Sequence, residues 1–546
     1  MGERMYSNKP YLPDIEIIIP ERTNIAWEAC DRRVEEGKGE RVFVYFKDRK
    51  VTYGELQVLM NKIGNGLLEA GVRPGQCVML RSTNSIEFLA SVLAILKIGA
   101  IAVPSQALFK EREVEHVINS SESVLAFAEQ TLVGTIDAVR SKCPTLKKIV
   151  VYGNSTADHM SFDTFIQGRS ENLKCFDTRA EDPSYILYTS GTSGLPKGVM
   201  RTHKDTYCSG ILTSRQAALT PDDIFLHPFE LSFGFVYASF SAVNFTGCQM
   251  VLYSGRTTVE GVLDAVQKYK VTKLSAVPSL FRMMLSIPDV EKRYDLSSLR
   301  LLSSGGEVLP YETYKELEQR FGLLCYDGYG QTECNGIIVA RTSVPVKPGS
   351  MGTPYPGIDV AIIDDDGKPC PTNTVGHFVV KDDCPIIFKQ YMKNPEKWNE
   401  VHRFSGWYDT GDLAYYDEDG YYFWVGRADA MIKSRGYMVS PYEVEETVLE
   451  LPEIAEVGAV GSPDPVIAYQ IKIFVTLRKG YEPTEALAIK IRDHVSFRIA
   501  PYKVPKIIEF ANELPKTLTG KISRKALSDL EQERYQKGMK TGYRFT

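Results

Sequence analysis

Between about residue 20 and residue 425 the chain alternates two kinds of segment. Short apolar runs such as "GQCVMLRS", "AIAVP", "SVLAFAE" and "LRLLSSGGE" are separated by longer stretches with apolar residues at helical spacing, such as "SIEFLASVLAILKIG", "KEREVEHVINSSE" and "VEGVLDAVQKYK". Short apolar runs bounded by turn signals predict buried strands, and the helical period predicts helices packed on them. Strand–helix–strand alternation predicts a layered α/β domain with largely parallel sheets. The most apolar window, "FLASVLAILKIGAIAVP" over residues 88–104, is broken by Lys97 and Gly99. It falls short of the ~20 residues that a bilayer span needs. It reads as a buried helix, a turn at Gly99 and a buried strand ending at Pro104.

After Gly357 the texture changes to short strands and tight turns, as in "IDVAIIDDDGKPC" and "GHFVVKD", which predicts a small β subdomain finishing the large domain. A second unit begins near Gly426. There "SPYEVEETVLEL" carries Ser440 and Glu443 at capping-box spacing, with Pro441 at the first helical position. Strands "EVGAVGS" and "IKIFVTL", helix "TEALAIKIRDHVSFRI" and strand "KIIEFA" follow. The expected fold class is α/β: a large layered N-terminal domain with a small β subdomain over residues 1–428, then a small α+β C-terminal domain over residues 429–546. The charged end, "ISRKALSDLEQERYQKGMKTGYRFT", reads as a frayed helix or tail.

Composition narrows the function classes. A chain of 546 residues exceeds what one core usually supports. Its 43% hydrophobic and 24% charged content is that of a soluble globular protein. A net charge of −5 without a long basic run gives no sign of a nucleic-acid partner. Ten cysteines without a C-x-x-C pair indicate neither a zinc site nor a disulfide framework. The N-terminal stretch "MGERMYSNKPYLPDIE" lacks an apolar segment, so a reducing, cytoplasmic setting and no membrane span are expected.

The strongest chemical signal is "YTSGTSGLPKGVM", residues 188–200. Glycines let backbone N–H groups converge on an anion, hydroxyls add donors, and Lys197 adds positive charge. The P-loop pattern fails, because Pro196 precedes Lys197 and Gly198 follows it. The stretch therefore points to phosphate binding of another kind. Four more segments accompany it: "SSGGEVLP" from residue 303, "YDGYGQTE" from 326, "GWYDTGDLAYYDEDGYYFWVGRAD" from 406 and "LPKTLTGKISR" from 514. In this order, with "VTYGEL" and "LKIGAIAVP", they closely resemble the acyl-adenylate-forming superfamily of acyl- and aryl-CoA synthetases, adenylation domains and beetle luciferases. The likeness covers nearly the whole chain. Its texture is most similar to medium-chain acyl-CoA synthetases and benzoate-CoA ligases.

The resemblance implies ATP, Mg²⁺ and coenzyme A as cofactors and co-substrates, with a small-molecule carboxylic acid as substrate. Its loop, Thr189, Ser190, Gly191, Thr192, Ser193 and Gly194 with Lys197, would cradle the β- and γ-phosphates. Glu333 would bind Mg²⁺, as a hard oxygen ligand suits, and Thr332 would donate to the α-phosphate. Gly305, Gly306 and Tyr329 would wall the adenine slot, and Asp327 would accept from the adenine amino group. Glu307, Gly328, Gly330 and Gln331 complete the nucleotide set. Asp412 and Arg427 would hold the ribose. Lys521 matches the mobile catalytic lysine, which neutralises charge growing in the transition state. Asp429 matches the hinge about which a mobile C-terminal domain swings, and Arg435 and Gly436 fall at the pantetheine tunnel.

Acceptor and acid follow from smaller features. The chain ends shortly after Lys521 without a carrier segment, which favours free CoA. The alternatives are an adenylation enzyme serving a carrier protein and a non-catalytic acyl-nucleotide sensor. Acetyl-CoA synthetases carry a tryptophan directly before "QTE". Here Gly330 stands there, which suggests room in the acyl pocket for a ring or medium chain, with Phe233 of "HPFELSFGFVY" as a wall. Glu230 is the exception in that segment, read as solvent-facing, a core partner, or a ligand for a substrate hydroxyl or amine. The residues leave the oligomeric state open, a homodimer included.

Overall fold

The computed structural model describes residues 13–154, 158–189, 195–434, 437–465, 468–516 and 521–545. They form two compact units, one of Met1–Val360, Val380–Tyr408 and Asp419–Tyr422, the other of Ala361–Val379, Asp409–Glu418 and Phe423–Thr546. This division differs from the expected break at 428/429. Most of the four-stranded sheet of that subdomain groups with the C-terminal residues, while Val380–Tyr408 stays with the first unit.

The first unit is built on two large sheets. An eight-stranded sheet runs Gln390–Tyr391, Lys197–Thr202, Pro183–Thr189, Ile101–Pro104, Cys77–Arg81, Leu125–Glu129, Lys148–Tyr152, Met160–Ser161. Its pairs are parallel except those flanking Lys197–Thr202. A seven-stranded sheet runs Cys325–Tyr326, Leu301–Ser304, Lys273–Ala276, Ile224–Leu226, Gln249–Val251, Val42–Phe46, Arg49–Thr52, parallel but for the last pair. Strands buried on both faces explain the uninterrupted apolar runs, and "CVMLR" is buried at every position. Helix Ile86–Lys97 buries every residue but Glu87. Ser85 caps it by accepting from the Phe88 N–H at 3.0 Å, and Gly99 at φ 73° turns the chain into strand Ile101–Pro104. The buried Lys97 ammonium is matched by Asp31 at 2.7 Å and the Asn61 side-chain oxygen at 2.6 Å.

Within the second unit, Ile454–Asp464 and Ala468–Leu477 form a long antiparallel pair, flanked by Ile432–Ser434 and Ile507–Phe510. Helix Pro441–Leu449 begins at Ser440 as expected, but only half the capping box forms. The Glu443 carboxylate accepts instead from the Lys503 ammonium at 2.5 and 2.7 Å. The C-terminal stretch is not a frayed tail. Helix Arg524–Gln536 turns buried Leu527 and Glu531 inward, and Glu531 meets the buried Lys472 ammonium at 2.5 Å. Strand Tyr543–Arg544 then adds to Ile507–Phe510. No helix among the described residues is long and apolar enough to cross a membrane.

Candidate active site

Strands Pro183–Thr189 and Lys197–Thr202 pair antiparallel with Thr189 opposite Lys197, so both ends of the phosphate-loop segment are anchored in the sheet. Ser190, Gly191, Thr192, Ser193 and Gly194 lie outside the described residues. One flank is fixed by His116, whose Nε2 is 2.9 Å from the Pro196 carbonyl oxygen. A Cβ on Gly198 would lie 3.0 Å from the Tyr188 ring, which lets the two strands close over that tyrosine.

The proposed adenine walls stand at the carboxyl ends of parallel strands, where open α/β sheets place their ligands. Strand Leu301–Ser304 leads into Gly305 and into Gly306 at φ 81°. Gln216 donates from Nε2 to the carbonyls of Ser304 at 2.8 Å and Tyr326 at 3.2 Å, tying the two strand ends together. A Cβ on Gly328 would lie 2.6 Å from that same Nε2. The Glu307 carboxylate accepts from the Ser279 N–H at 3.2 Å and hydroxyl at 3.3 Å, at the start of helix Pro278–Leu285. Asp327 is buried. Its Oδ2 accepts from the Leu309 N–H at 3.3 Å, its Oδ1 has no partner among the described residues, and burial pushes its carboxyl up to about 7. A buried acceptor without a donor is a fit for an amino group of a ligand.

The "YGQTE" segment is a tight hairpin of Gly328–Gln331 against Cys334–Val339, with a register shift between Tyr329 and Gln331. Thr332 and Glu333 form its tip. Three groups hold this tip and a fourth holds the adjoining Gln331. The Arg201 guanidinium donates to the Thr332 carbonyl, the Phe388 N–H donates to the Glu333 carbonyl at 2.9 Å, and the Tyr391 hydroxyl donates to Glu333 Oε1 at 2.8 Å. The Tyr408 hydroxyl donates to Gln331 Oε1 at 2.9 Å. Beside the tip sits the start of helix Gly234–Thr246. A Cβ on Gly234 would lie 2.5 Å from the Thr332 hydroxyl, so Gly234 abuts it, with Phe233 the residue before.

Gly330 is bare for a reason other than pocket room. A Cβ there would lie 2.3 Å from the Gly336 nitrogen, so the glycine is needed for the close approach of the two strands. A cavity of about 400 Å³ beside the tip is lined by Thr202, Lys204, Asp382, Phe388, Trp398 and His402 among others. The three carboxylates in its lining, with Glu181 and Asp383 joining Asp382, make it unsuited to an apolar acyl chain.

In the second unit, Asp412 and Arg427 lie together, with Arg427 NH1 3.5 Å from Asp412 Oδ2 and 2.9 Å from the Thr410 carbonyl. Trp424 Nε1 donates to Asp412 Oδ1 at 3.0 Å. A carboxylate offers about four acceptor positions, a chemistry that suits ribose hydroxyls. Gly411 at φ 71° packs against the same guanidinium, and Arg427 Nε is 3.5 Å from Asp429 Oδ1. Lys521 stands where the chain is refastened. Lys516 bridges to Ile522, the Ser523 N–H donates to the Pro515 carbonyl at 2.7 Å, and Ile522 packs on Leu514 and Leu527. Arg435 and Gly436 lie outside the described residues.

The sequence reading missed Arg201, Gln216, Tyr391 and Tyr408. Only Arg201 carried a signal, as a charge inside the strand "KGVMRT". Among the described residues no group of three or more His, Cys, Asp or Glu could hold a metal. Glu333 could therefore contribute one hard oxygen ligand, with phosphate oxygens supplying others, which is the usual manner of Mg²⁺ binding.

Two largely parallel sheets, an antiparallel strand pair flanking the glycine-rich segment and an anchored Thr–Glu tip describe a nucleotide-binding enzyme with a second, C-terminal unit. The chain belongs to the AMP-binding enzyme family, whose pattern matches residues 30–392, with its C-terminal domain pattern matching residues 443–521. It is 33% identical over 522 residues to the acetyl-coenzyme A synthetase of Bacillus subtilis strain 168, covering 93% of this chain and 91% of that one. It is 33% identical over 498 residues to 4-hydroxybutyrate–CoA ligase 1 of Metallosphaera sedula, covering 90% and 86%. Among solved structures it resembles an anthranilate CoA ligase bound to anthranoyl-AMP, with TM-score 0.89 and 31% identity over 95% of this chain and 99% of the other.

Proposed function

We propose that this chain is an AMP-forming acyl-CoA ligase: it activates a carboxylic acid with ATP as an acyl-adenylate, then passes the acyl group to coenzyme A. The observation that carries the reading is the Thr332–Glu333 tip, held by three hydrogen bonds with a fourth on the adjoining Gln331. In the first half-reaction a carboxylate oxygen attacks the α-phosphorus and the bond to pyrophosphate breaks. The Thr332 hydroxyl donates to the α-phosphate, and the Lys521 ammonium offsets the charge that develops there. Mg²⁺, when bound beside Glu333, neutralises phosphate charge. Asp412 and Arg427 hold the ribose, and the Asp327 acceptor receives the adenine amino group. In the second half-reaction the CoA thiolate attacks the acyl carbon and AMP leaves. A swing about Asp429 withdraws Lys521 between the two steps and brings the stretch with Arg435 and Gly436 to the thiol tunnel.

The acid is an aromatic or medium-chain one, because Phe229 and Phe233 pack on the apolar core at the approach to Thr332. Ten free thiols support work in a reducing compartment such as the cytoplasm. The test is pyrophosphate release and thioester formation over acids from acetate to decanoate and over benzoates, with and without CoA. Acetate as the best acid overturns the pocket assignment. Pyrophosphate release without any CoA thioester indicates a carrier protein as acceptor, and neither product indicates a sensor.

A further inference from the structure

Glu230 is a carboxylate in a segment otherwise given to apolar packing. Its neighbours Phe229 and Leu231 line a small apolar void with Phe225, Val236 and Phe240, while Glu230 does not. The segment is rigid. Asn84 donates from Nδ2 to the Phe229 carbonyl at 2.9 Å and accepts at Oδ1 from the Leu231 N–H at 2.9 Å. Thr257 donates to the Pro228 carbonyl. The Phe233 N–H donates to the Glu230 carbonyl at 3.1 Å. A turn of this kind holds its first and fourth Cα atoms within about 7 Å. The next residue, Gly234, is the one whose Cβ position lies 2.5 Å from the Thr332 hydroxyl. Glu230 is thus fixed one turn away from the reacting end of the site.

Among the described residues no cation pairs with this carboxylate. Its own contact is the Ser232 hydroxyl, donating to Oε2 at 3.3 Å, and no ion pair to Glu230 forms among the described residues. The charged groups facing it are Glu129 and Arg81. The Arg81 guanidinium is spent on Thr135 Oγ1 at 2.9 Å and on the carbonyls of Gln106 at 2.7 Å, Ala107 at 3.2 Å and Phe109 at 2.7 Å. Glu129 accepts from the Thr83 N–H at 3.0 Å and from the hydroxyls of Thr83 at 2.7 Å and Thr131 at 2.7 Å. Its carboxyl is held low against the opposing effect of burial. For Glu230 burial wins and pushes the carboxyl up, with the Glu129 charge adding to it. A half-buried acceptor, carried on a backbone tied by hydrogen bonds and short of donors, is costly unless something supplies them.

We propose that Glu230 selects the substrate: it receives a hydrogen-bond donor, an amine or hydroxyl, borne by the acid at the end away from its carboxylate. The substrates are then amino- or hydroxy-substituted ring or chain acids rather than plain ones. The proposal rests on the acyl-CoA ligase reading above. A site built to bond a donor rejects the analogue lacking it, because its own polar group is then left unpaired.

The experiment compares kcat/KM for matched acids, namely benzoate against its amino and hydroxy derivatives and hexanoate against 6-hydroxyhexanoate, in wild type, Glu230→Gln and Glu230→Leu. Wild type should favour at least one donor-bearing acid over its plain partner by at least about ten-fold. Glu230→Leu should invert that preference, losing the donor-bearing acid and gaining the plain one. Glu230→Gln, which keeps the shape and one acceptor, should fall between. A wild type that prefers the plain member of every pair overturns the proposal. So do Glu230 variants that alter all acids by one common factor. In both cases thioester is still made, so the ligase reading survives. Absence of pyrophosphate release from every acid in wild type overturns the ligase reading itself, and the proposal with it.

Discussion

Arg201 offers the sharpest test of how the Thr332–Glu333 tip is held. Its guanidinium is fully buried, with Nε 2.8 Å from Asp205 Oδ1, NH2 donating to the Ser209 hydroxyl at 3.3 Å and NH1 donating to the Thr332 carbonyl. Asp205 also accepts from the Thr202 N–H at 2.8 Å, capping helix His203–Gln216. Arg201→Met removes the cation and strands the Asp205 carboxylate in the interior, a change that costs about 3–5 kcal/mol of stability. Arg201→Met with Asp205→Asn removes both charges and keeps an acceptor for the helix cap. Stability should then recover most of that loss, since buried pairs are often replaceable by neutral groups at little cost. Activity should not recover, because the Thr332 carbonyl lacks its charged donor in both variants. Such a bond is worth about 1.5–3 kcal/mol, or roughly 10- to 150-fold if the whole of it acts on the transition state. Urea denaturation reads the first quantity and pyrophosphate release reads the second. A double variant with wild-type kcat/KM would show that Arg201 serves the fold alone. A loss of stability under about 1 kcal/mol in Arg201→Met would deny the buried pair.

Four further outcomes follow from the site. Lys521→Ala should nearly abolish adenylate formation yet spare thioester formation from supplied acyl-adenylate and CoA; equal losses in both half-reactions refute its assignment to the first. Glu333→Gln should raise the Mg²⁺ concentration needed for half-maximal rate, because one charged hard ligand is lost, and an unchanged Mg²⁺ titration removes Glu333 from the metal site. For Asp327, with its carboxyl raised to about 7, the native chain still holds a proton that the unfolded chain has released above about pH 4. Its contribution to stability is therefore lost as pH rises through about 7, so the stability of Asp327→Asn relative to wild type should increase across that window, and a flat difference in urea denaturation counts against the shift. Gly330→Ala should depress kcat/KM for all acids by a similar factor, because it displaces the hairpin; a loss confined to long acids would restore Gly330 to the pocket wall.

Most of the large unit was legible because its chemistry is local. Strands such as Cys77–Arg81 and Leu125–Glu129 are apolar along nearly their whole length, and helix Ile86–Lys97 carries its own cap and its own stop. The C-terminal helix was not legible for the opposite reason. Its inward face pairs Leu527 with Glu531, and the cation that makes a buried glutamate tolerable, Lys472, lies 59 residues earlier in the chain. Read alone, such a helix is all charge and should be wet. The anchors of the Thr–Glu tip were hidden in the same way. Tyr391 and Tyr408 are ordinary tyrosines until the fold brings their hydroxyls to Glu333 and Gln331.

Gly330 shows a different limit. In a sequence a glycine is an absent side chain, and absence can mean open space or space already taken by backbone. Nothing lies within 4 Å of a Cβ built on Gly406 or Gly420, whereas one built on Gly330 meets the Gly336 nitrogen at 2.3 Å. The inference from a missing tryptophan to a larger acyl pocket needs the direction of that Cβ, which motif comparison does not contain. The neighbouring segment bears on pocket shape instead. There Asn84 and the turn from Glu230 to Phe233 fix the approach to Thr332. Selectivity then depends less on how much room a glycine leaves than on what a single carboxylate on a tethered turn demands of the acid that enters.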